Sequence, residues 1–182
     1  DTTFLRYSKG CRPAKGHNLA IAEWPTDKVP GNEEKGYADY ALFIGKELVG
    51  IIEAKKWDTD ISSVISYQCK DYARAIRKCD AEYLPGQWQD FKVPFVFAAN
   101  GRPYVQQLQT KSGIWFADLR RAGNIPRAMA GWPSPLGLKE MLQENTAEGN
   151  AALDALPYDF LQDENGLHLR DYQLKAVQAV DD

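Results

Sequence analysis

The amino-acid sequence predicts an α/β fold, a mixed central sheet flanked by helices, on three observations. Residues 40–44 and 48–52 are two apolar, β-branched and aromatic runs around Gly45-Lys46-Glu47, the pattern of a β-hairpin. Both faces of that hairpin are apolar, with Phe43, Val49 and Ile51 on one and Leu42, Ile44 and Ile52 on the other, so layers are expected on both sides of the sheet. Ile61, Ile65, Cys69 and Ile76 then recur near helical spacing, which marks a helix lying against it.

The elements follow in order. Asn18 to Trp24 is a short apolar strand closed by Pro25, and Thr26 to Gly36, with Pro30-Gly31-Asn32, reads as a loop. The hairpin comes next. Asp58 or Asp60 caps a helix running to about Lys78, whose apolar stripe also holds Gln68 and Tyr72 and so turns an amide and a phenol inward. Cys79 to Lys92 is a loop, and Val93 to Ala99 a continuous apolar strand with one proline. Asn100-Gly101-Arg102-Pro103 turns the chain into a strand over Tyr104 to Gln109, and Lys111-Ser112-Gly113 turns it back into Ile114 to Ala117. Ala122 to Pro135 is irregular, Leu136 to Asn145 a short helix, and Thr146 to Gly166 a linker with a helical piece at Ala151 to Leu156. No internal repeat is present.

The end of the hairpin carries the chemistry. With Lys46 at the apex, Asp39 lies opposite Glu53, and opposed residues hold their Cβ atoms about 4.5–5.5 Å apart. Lys55 shares the face of Glu53 because side chains alternate along a strand. Two carboxylates about 5 Å apart repel by roughly 3 kcal/mol at an effective dielectric of 20. A cation between them removes that strain. Magnesium takes hard oxygen ligands, binds through one or two carboxylates and leaves room for water and substrate phosphate. It then polarises the phosphoryl oxygen and generates the nucleophile, while Lys55 orients water or stabilises the phosphorane charge. The constellation is that of a magnesium-dependent phosphodiesterase. A hairpin salt bridge is the competing reading. Glu33-Glu-Lys35 and Asp90-Phe-Lys92 repeat the bare pattern, the first in a loop and the second ahead of a strand. Gln68 and Tyr72 have two readings, helix packing or site residues.

Composition narrows the class. The chain has 182 residues, 26% charged and 44% hydrophobic, as in a globular domain. No apolar run approaches the ~18 residues of a membrane helix, so no membrane partner is expected. Cys11, Cys69 and Cys79 are odd in number and lack metal-ligand spacing, which predicts free thiols and a cytoplasmic location. Only His17 and His168 are available, which argues against zinc and against a Ser/His/Asp triad. Net charge is −3, with basic groups at Arg6, Lys9, Arg12 and Lys15, at Lys70, Arg74, Arg77 and Lys78, and at Arg120, Arg121 and Arg127. These either track phosphates or form solvated faces.

Taken together, Asp39, Glu53-Ala54-Lys55 and Gln68-Cys-Lys-Asp-Tyr72 resemble the PD-(D/E)XK nuclease superfamily of restriction endonuclease-like folds, with Ala38 in place of the eponymous proline. Arg6-Tyr-Ser-Lys-Gly, Asn18-Leu-Ala-Ile-Ala-Glu-Trp-Pro, Ser112-Gly-Ile-Trp-Phe and Leu169-Arg-Asp-Tyr-Gln-Leu-Lys-Ala-Val narrow the resemblance to the nuclease domain of the motor subunit of type I restriction-modification enzymes. The resemblance implies a PD-(D/E)XK endonuclease domain over 1–145, a linker over 146–168 and the start of a superfamily 2 helicase-like motor over 169–182. It implies cleavage of double-stranded DNA with Mg2+, or Mn2+ as a substitute, held by Asp39, Glu53 and the Ala54 backbone carbonyl, with Lys55 assisting hydrolysis. Gln68 and Tyr72 then position DNA, Glu23 is a candidate further acid, and Gln173 reads adenine in the full-length motor. Modification and specificity subunits are the implied partners. ATP is implied for the full-length subunit alone, because no Walker loop occurs here. In the family a helix precedes Arg6-Tyr-Ser and often supplies another acid. This chain begins at Asp1 without that helix and reads as a fragment. The alternative function is a catalytically silent module that docks DNA or the motor.

Overall fold

Six strands form one mixed sheet in the order β1-β2-β3-β4-β5-β6: β1 Asn18–Val29, β2 Asn32–Ile44, β3 Glu47–Ala54, β4 Phe95–Ala99, β5 Ile114–Asp118 and β6 Arg127–Ala128. The structure is a computed structural model, and it describes residues 5–29, 32–144, 148–149, 151, 155, 159–162 and 168–181. Helix α1 spans Gln68–Arg74, α2 Pro135–Gln143, α3 Asp159–Gln162 and α4 Asp171–Asp181. β3 and β4 are parallel, and the other neighbours are antiparallel. This is the α/β, restriction endonuclease-like mixed sheet flanked by helices that the sequence predicts.

The core has two layers. On one face Ile21, Trp24, Phe43, Leu48, Ile51, Val96 and Ala98 pack with Ile61, Ile65, Cys69, Tyr72 and Ile76. On the other, Val49, Phe95, Phe97 and Phe116 pack with Leu138 of α2. Trp24 is fully buried, its ring edge-on to Tyr7 and Tyr83 at 5.1 and 6.0 Å and tilted on Phe43 at 4.8 Å. Such aromatic pairs add about 0.5–1.5 kcal/mol each beyond area burial.

The hairpin reaches the expected register by another route. The turn is the two-residue Gly45-Lys46, with Ile44 opposite Glu47 and Phe43 opposite Leu48. Gly45 has φ 61°, as the first central position of a type II′ turn requires. A bulge then shifts the pairing to Leu42–Gly50, Ala41–Ile51 and Tyr40–Ile52. The extra residue is Val49, so its side chain joins the Phe95/Phe97 layer and not the Phe43/Ile51 face predicted for it. Continued by one residue, the shifted register sets Asp39 against Glu53.

Several boundaries differ from the sequence expectation. β1 does not stop at Pro25 but continues to Val29, and residues 32–36, expected in a loop, belong to β2. Pro25 is tolerated opposite Tyr37 near a register shift, where strand prolines are found. The predicted helix from Asp58 or Asp60 to Lys78 is broken into a 3-10 turn at Val64–Ser66, α1, and a second 3-10 turn at Lys78–Tyr83. Its first turns hold Ile61, Ser62, Ser63, Val64 and Ile65, β-branched or serine residues that favour helix poorly. Asp60 still closes the start, its Oδ1 accepting from the Ser62 N–H at 3.1 Å and hydroxyl at 2.8 Å. Tyr104 to Gln109 is no strand; Ile114–Asp118 pairs with β4 instead.

The chain divides into two compact units, Asp1–Leu142 and Gln143–Asp182, and both core layers lie within the first. In the second unit the Ala155 N–H donates to the Ala151 carbonyl at 3.1 Å. The predicted boundary at 145–146 and most of the predicted linker lie outside the described residues. No helix among the described residues is long and apolar enough to cross a membrane.

Candidate active site

The sheet delivers two acids and a lysine to one place, on the face that α1 covers. Asp39 leaves β2 half-buried, and its Oδ2 accepts the Ala54 N–H at 2.7 Å, which pins the end of β3 against β2. Glu53 is 4% exposed, with Ala98 of β4 beside it in the parallel ladder. Its Oε1 accepts two hydrogen bonds of 2.7 Å, from Lys55 Nζ and from Gln68 Nε2. The Gln68 amide also reaches the Tyr72 hydroxyl at 3.3 Å. Thus Asp39, Glu53, Lys55, Gln68 and Tyr72 are brought together, and α1 turns its amide and phenol toward the sheet as the stripe predicts.

Glu53 Oε2 is buried and has no hydrogen-bond partner. Burial pushes the Glu53 carboxyl above the usual carboxylate range; Lys55 opposes that push and the neighbouring Asp39 charge adds to it. A buried acid with one oxygen satisfied twice and the other not at all is a costly arrangement. A hard cation at Oε2 would relieve it, so the donor set fits magnesium, with Asp39, Glu53 and the Ala54 carbonyl as the oxygens able to hold it. Burial likewise raises the Tyr72 phenol, against the Gln68 hydrogen bond, and the Glu53 and Asp39 charges raise it further, so Tyr72 stays neutral. Cys69 is a buried free thiol between Gln68 and Lys70, donating to the Phe97 carbonyl at 3.3 Å. Burial raises its pKa too, which makes it a packing residue.

Glu23 falls between the pairs Ala22–Tyr40 and Trp24–Ala38, level with Asp39 on the next strand. Its φ is 56°, an unusual backbone for a non-glycine strand residue, and its carboxylate is engaged by Arg6. With Tyr7, Ser8, Pro25, Tyr37 and Arg77 it lines a cleft of about 670 Å³. Among the described residues no group of three or more His, Cys, Asp or Glu side chains is arranged to hold a metal. Gln173 lies in the other unit, where its Oε1 accepts the Arg170 N–H at 2.9 Å at the start of α4.

The Asp90-Phe-Lys92 repeat of the acid-x-Lys pattern is used structurally: Asp90 pairs with Arg74, and Lys92 Nζ donates to the Ile76 carbonyl at 2.6 Å. The Glu33-Glu-Lys35 side chains lie outside the described residues. Much of the grouped positive charge is used internally. Arg77 holds Asp80 through two hydrogen bonds, Arg12 lies over the Tyr7 ring at 3.7 Å, and Arg120 is 6% exposed on Asp118. For these three residues the phosphate-tracking reading gives way to a structural one.

Sequence reasoning missed the frame behind Lys55. The Lys55 N–H donates to the Ala99 carbonyl at 2.7 Å, Asn100 Nδ2 to the Thr59 carbonyl at 2.8 Å and Arg102 Nε to the Trp57 carbonyl at 2.5 Å. The signal available was Asn100-Gly-Arg, which marks a turn but not its partners.

Residues 1–142 match the family described as the type I restriction enzyme EcoKI endonuclease subunit second domain. The type I restriction enzyme EcoKI endonuclease subunit of Escherichia coli (strain K12) is 37% identical over 207 aligned positions, covering all of this chain and 17% of that protein. No solved structure matches. The two sequence matches show that the chain belongs to the family of type I restriction enzyme endonuclease subunits.

Proposed function

We propose that the chain is the DNA-cleaving part of a type I restriction enzyme motor subunit, a metal-dependent endonuclease that hydrolyses phosphodiester bonds of duplex DNA. The observation that carries this reading is the orphaned, buried Glu53 Oε2 beside Asp39 and Lys55. Asp39, Glu53 and the Ala54 carbonyl would hold Mg2+, which when bound supplies Lewis-acid polarisation of the phosphoryl oxygen and a water acidic enough to attack.

The chain's own residues do the rest. Gln68 and Lys55 both donate to Oε1, so Glu53 cannot rotate and its second oxygen stays aimed into the site. Lys55 is a quarter exposed and has three N–H donors, one of them on Glu53. The others can meet a water or the charge that builds on the phosphorane. Tyr72 holds the Gln68 amide in place. The Ala54 N–H on Asp39 prevents the first acid from swinging away.

Nicking of supercoiled plasmid tests the reading. The chain should nick with magnesium or manganese, lose the activity to a chelator, and lose at least about a hundredfold with Lys55→Ala while that variant still gives a single cooperative melting transition. A Lys55→Ala chain that nicks at the parent rate overturns it. DNA retention without metal-dependent cutting would identify the silent docking module instead. The modification and specificity subunits are the proposed partners of the whole protein, where target recognition would reside. ATP belongs to the motor beyond this chain.

A further inference from the structure

Trp57 stands two residues beyond Lys55 and is 62% exposed. The turn that carries it is held at both ends. Beyond the three bonds already described, the Thr59 N–H donates to the Lys56 carbonyl at 3.0 Å and the Arg102 N–H to Asn100 Oδ1 at 3.1 Å. Gly101, at φ 77°, presents bare backbone to the indole, whose Cε3 lies 3.8 Å from where a Cβ would stand. The 100–102 turn is in turn seated on Gly113, where any side chain would run into the Arg102 backbone. A wide aromatic side chain therefore stands in solvent on a hydrogen-bonded turn, two residues beyond Lys55.

The charges around it suit a polyanion. Lys55 and Lys56 directly precede Trp57 in the chain, Arg102 Nε holds the Trp57 carbonyl, and Asp60 is already engaged by Ser62 and, at 3.9 Å, by Lys111. Exposed aromatic rings beside cations are how single strands are gripped without regard to sequence, since every base has a π-face.

We propose that Trp57 is a stacking platform for a nucleobase of the strand whose phosphate occupies the Asp39–Glu53–Lys55 site. The proposal rests on the nuclease reading and deepens it, since it names a locally unstacked strand as the substrate feature that is held. Duplex that is gapped or frayed next to the scissile phosphate then binds more tightly than intact duplex.

The test measures binding apart from cleavage, by fluorescence anisotropy of the chain in a chelator, with a labelled duplex carrying a one-nucleotide gap and with its intact counterpart. Trp57→Ala should weaken gapped-duplex binding about tenfold, with the loss persisting as salt is raised, while Trp57→Phe keeps most of the affinity. Ile125→Ala, on the loop after β5, should bind as the parent does. Equal binding by Trp57→Ala and the parent overturns the proposal. So does an equal loss in Trp57→Phe, or a parent chain that binds gapped duplex no more tightly than intact duplex. Failure of the nuclease reading shows separately, as a parent chain that binds DNA but never nicks it.

Discussion

Glu53 shows what the site demands of single residues. Its burial and its partnerless oxygen make the chain less stable than a neutral residue of the same shape would. Glu53→Gln removes the buried charge while its remaining oxygen can still accept from Gln68 and Lys55. In a thermal melt without divalent ions the variant should unfold about 2–4 °C higher than the parent, while cleavage is lost. A lower melting temperature would mean that the Lys55 ion pair outweighs desolvation. Gln68 acts one step back. Gln68→Ala frees the Glu53 carboxylate to rotate, so the turnover rate should fall about 10–100-fold, and the DNA concentration giving half-maximal rate should change far less.

At the scale of elements, the bulge at Val49 absorbs one residue so that Asp39 and Glu53 stay opposed. Deleting Val49 restores an unbroken ladder from the Gly45-Lys46 turn and leaves Leu42–Gly50, Ala41–Ile51 and Tyr40–Ile52 paired, so Glu53 and Lys55 keep their face. Cleavage should persist, and the melting temperature should fall because the Phe97 layer loses a buried side chain. Arg120 ties β5 to α2 in a similarly binding way, donating to Asp118 and to the Met141 carbonyl. Asp118→Ala leaves that buried guanidinium unpaired and should cost about 3–5 kcal/mol in chemical denaturation, whereas Arg120→Met should cost far less. The sequence made the convergence of Asp39, Glu53 and Lys55 legible because alternation and a tight turn suffice to bring them together. It concealed how. A one-residue apex and a two-residue turn plus bulge give the same pairing beyond Leu42, and only Val49 distinguishes them. The strand through Pro25, the broken helix before Gln68 and the loss of the 104–109 strand were illegible for another reason. Each is set by a tertiary partner, such as Asp27 N–H on the Ala75 carbonyl or Val105 N–H on Ser112 Oγ, that local pattern does not reveal.

For the whole molecule, everything that builds the site and both core layers belongs to the first compact unit. A chain ended after Glu144, which keeps α2 whole, should retain a single cooperative melting transition and metal-dependent nicking. Loss of that transition would show that the unit needs the rest of the chain. Trp24 is its central pillar, packed by three other rings, and Trp24→Ala should cost about 3–5 kcal/mol in a denaturant titration.

The parallel pairing of β3 with β4 also sets an order of events. Strands β1, β2 and β3 join through short connections, whereas β4 can dock only after the entire α1 crossover has closed, and long closures come late. Pulse-labelling hydrogen exchange should find the amides of β2 and β3 protected before those of β4. During synthesis, then, Asp39 and Glu53 meet while still bathed in solvent, and the lid of Gln68 and Tyr72 arrives afterwards. A partly made chain holds both acids together before α1 has buried Glu53.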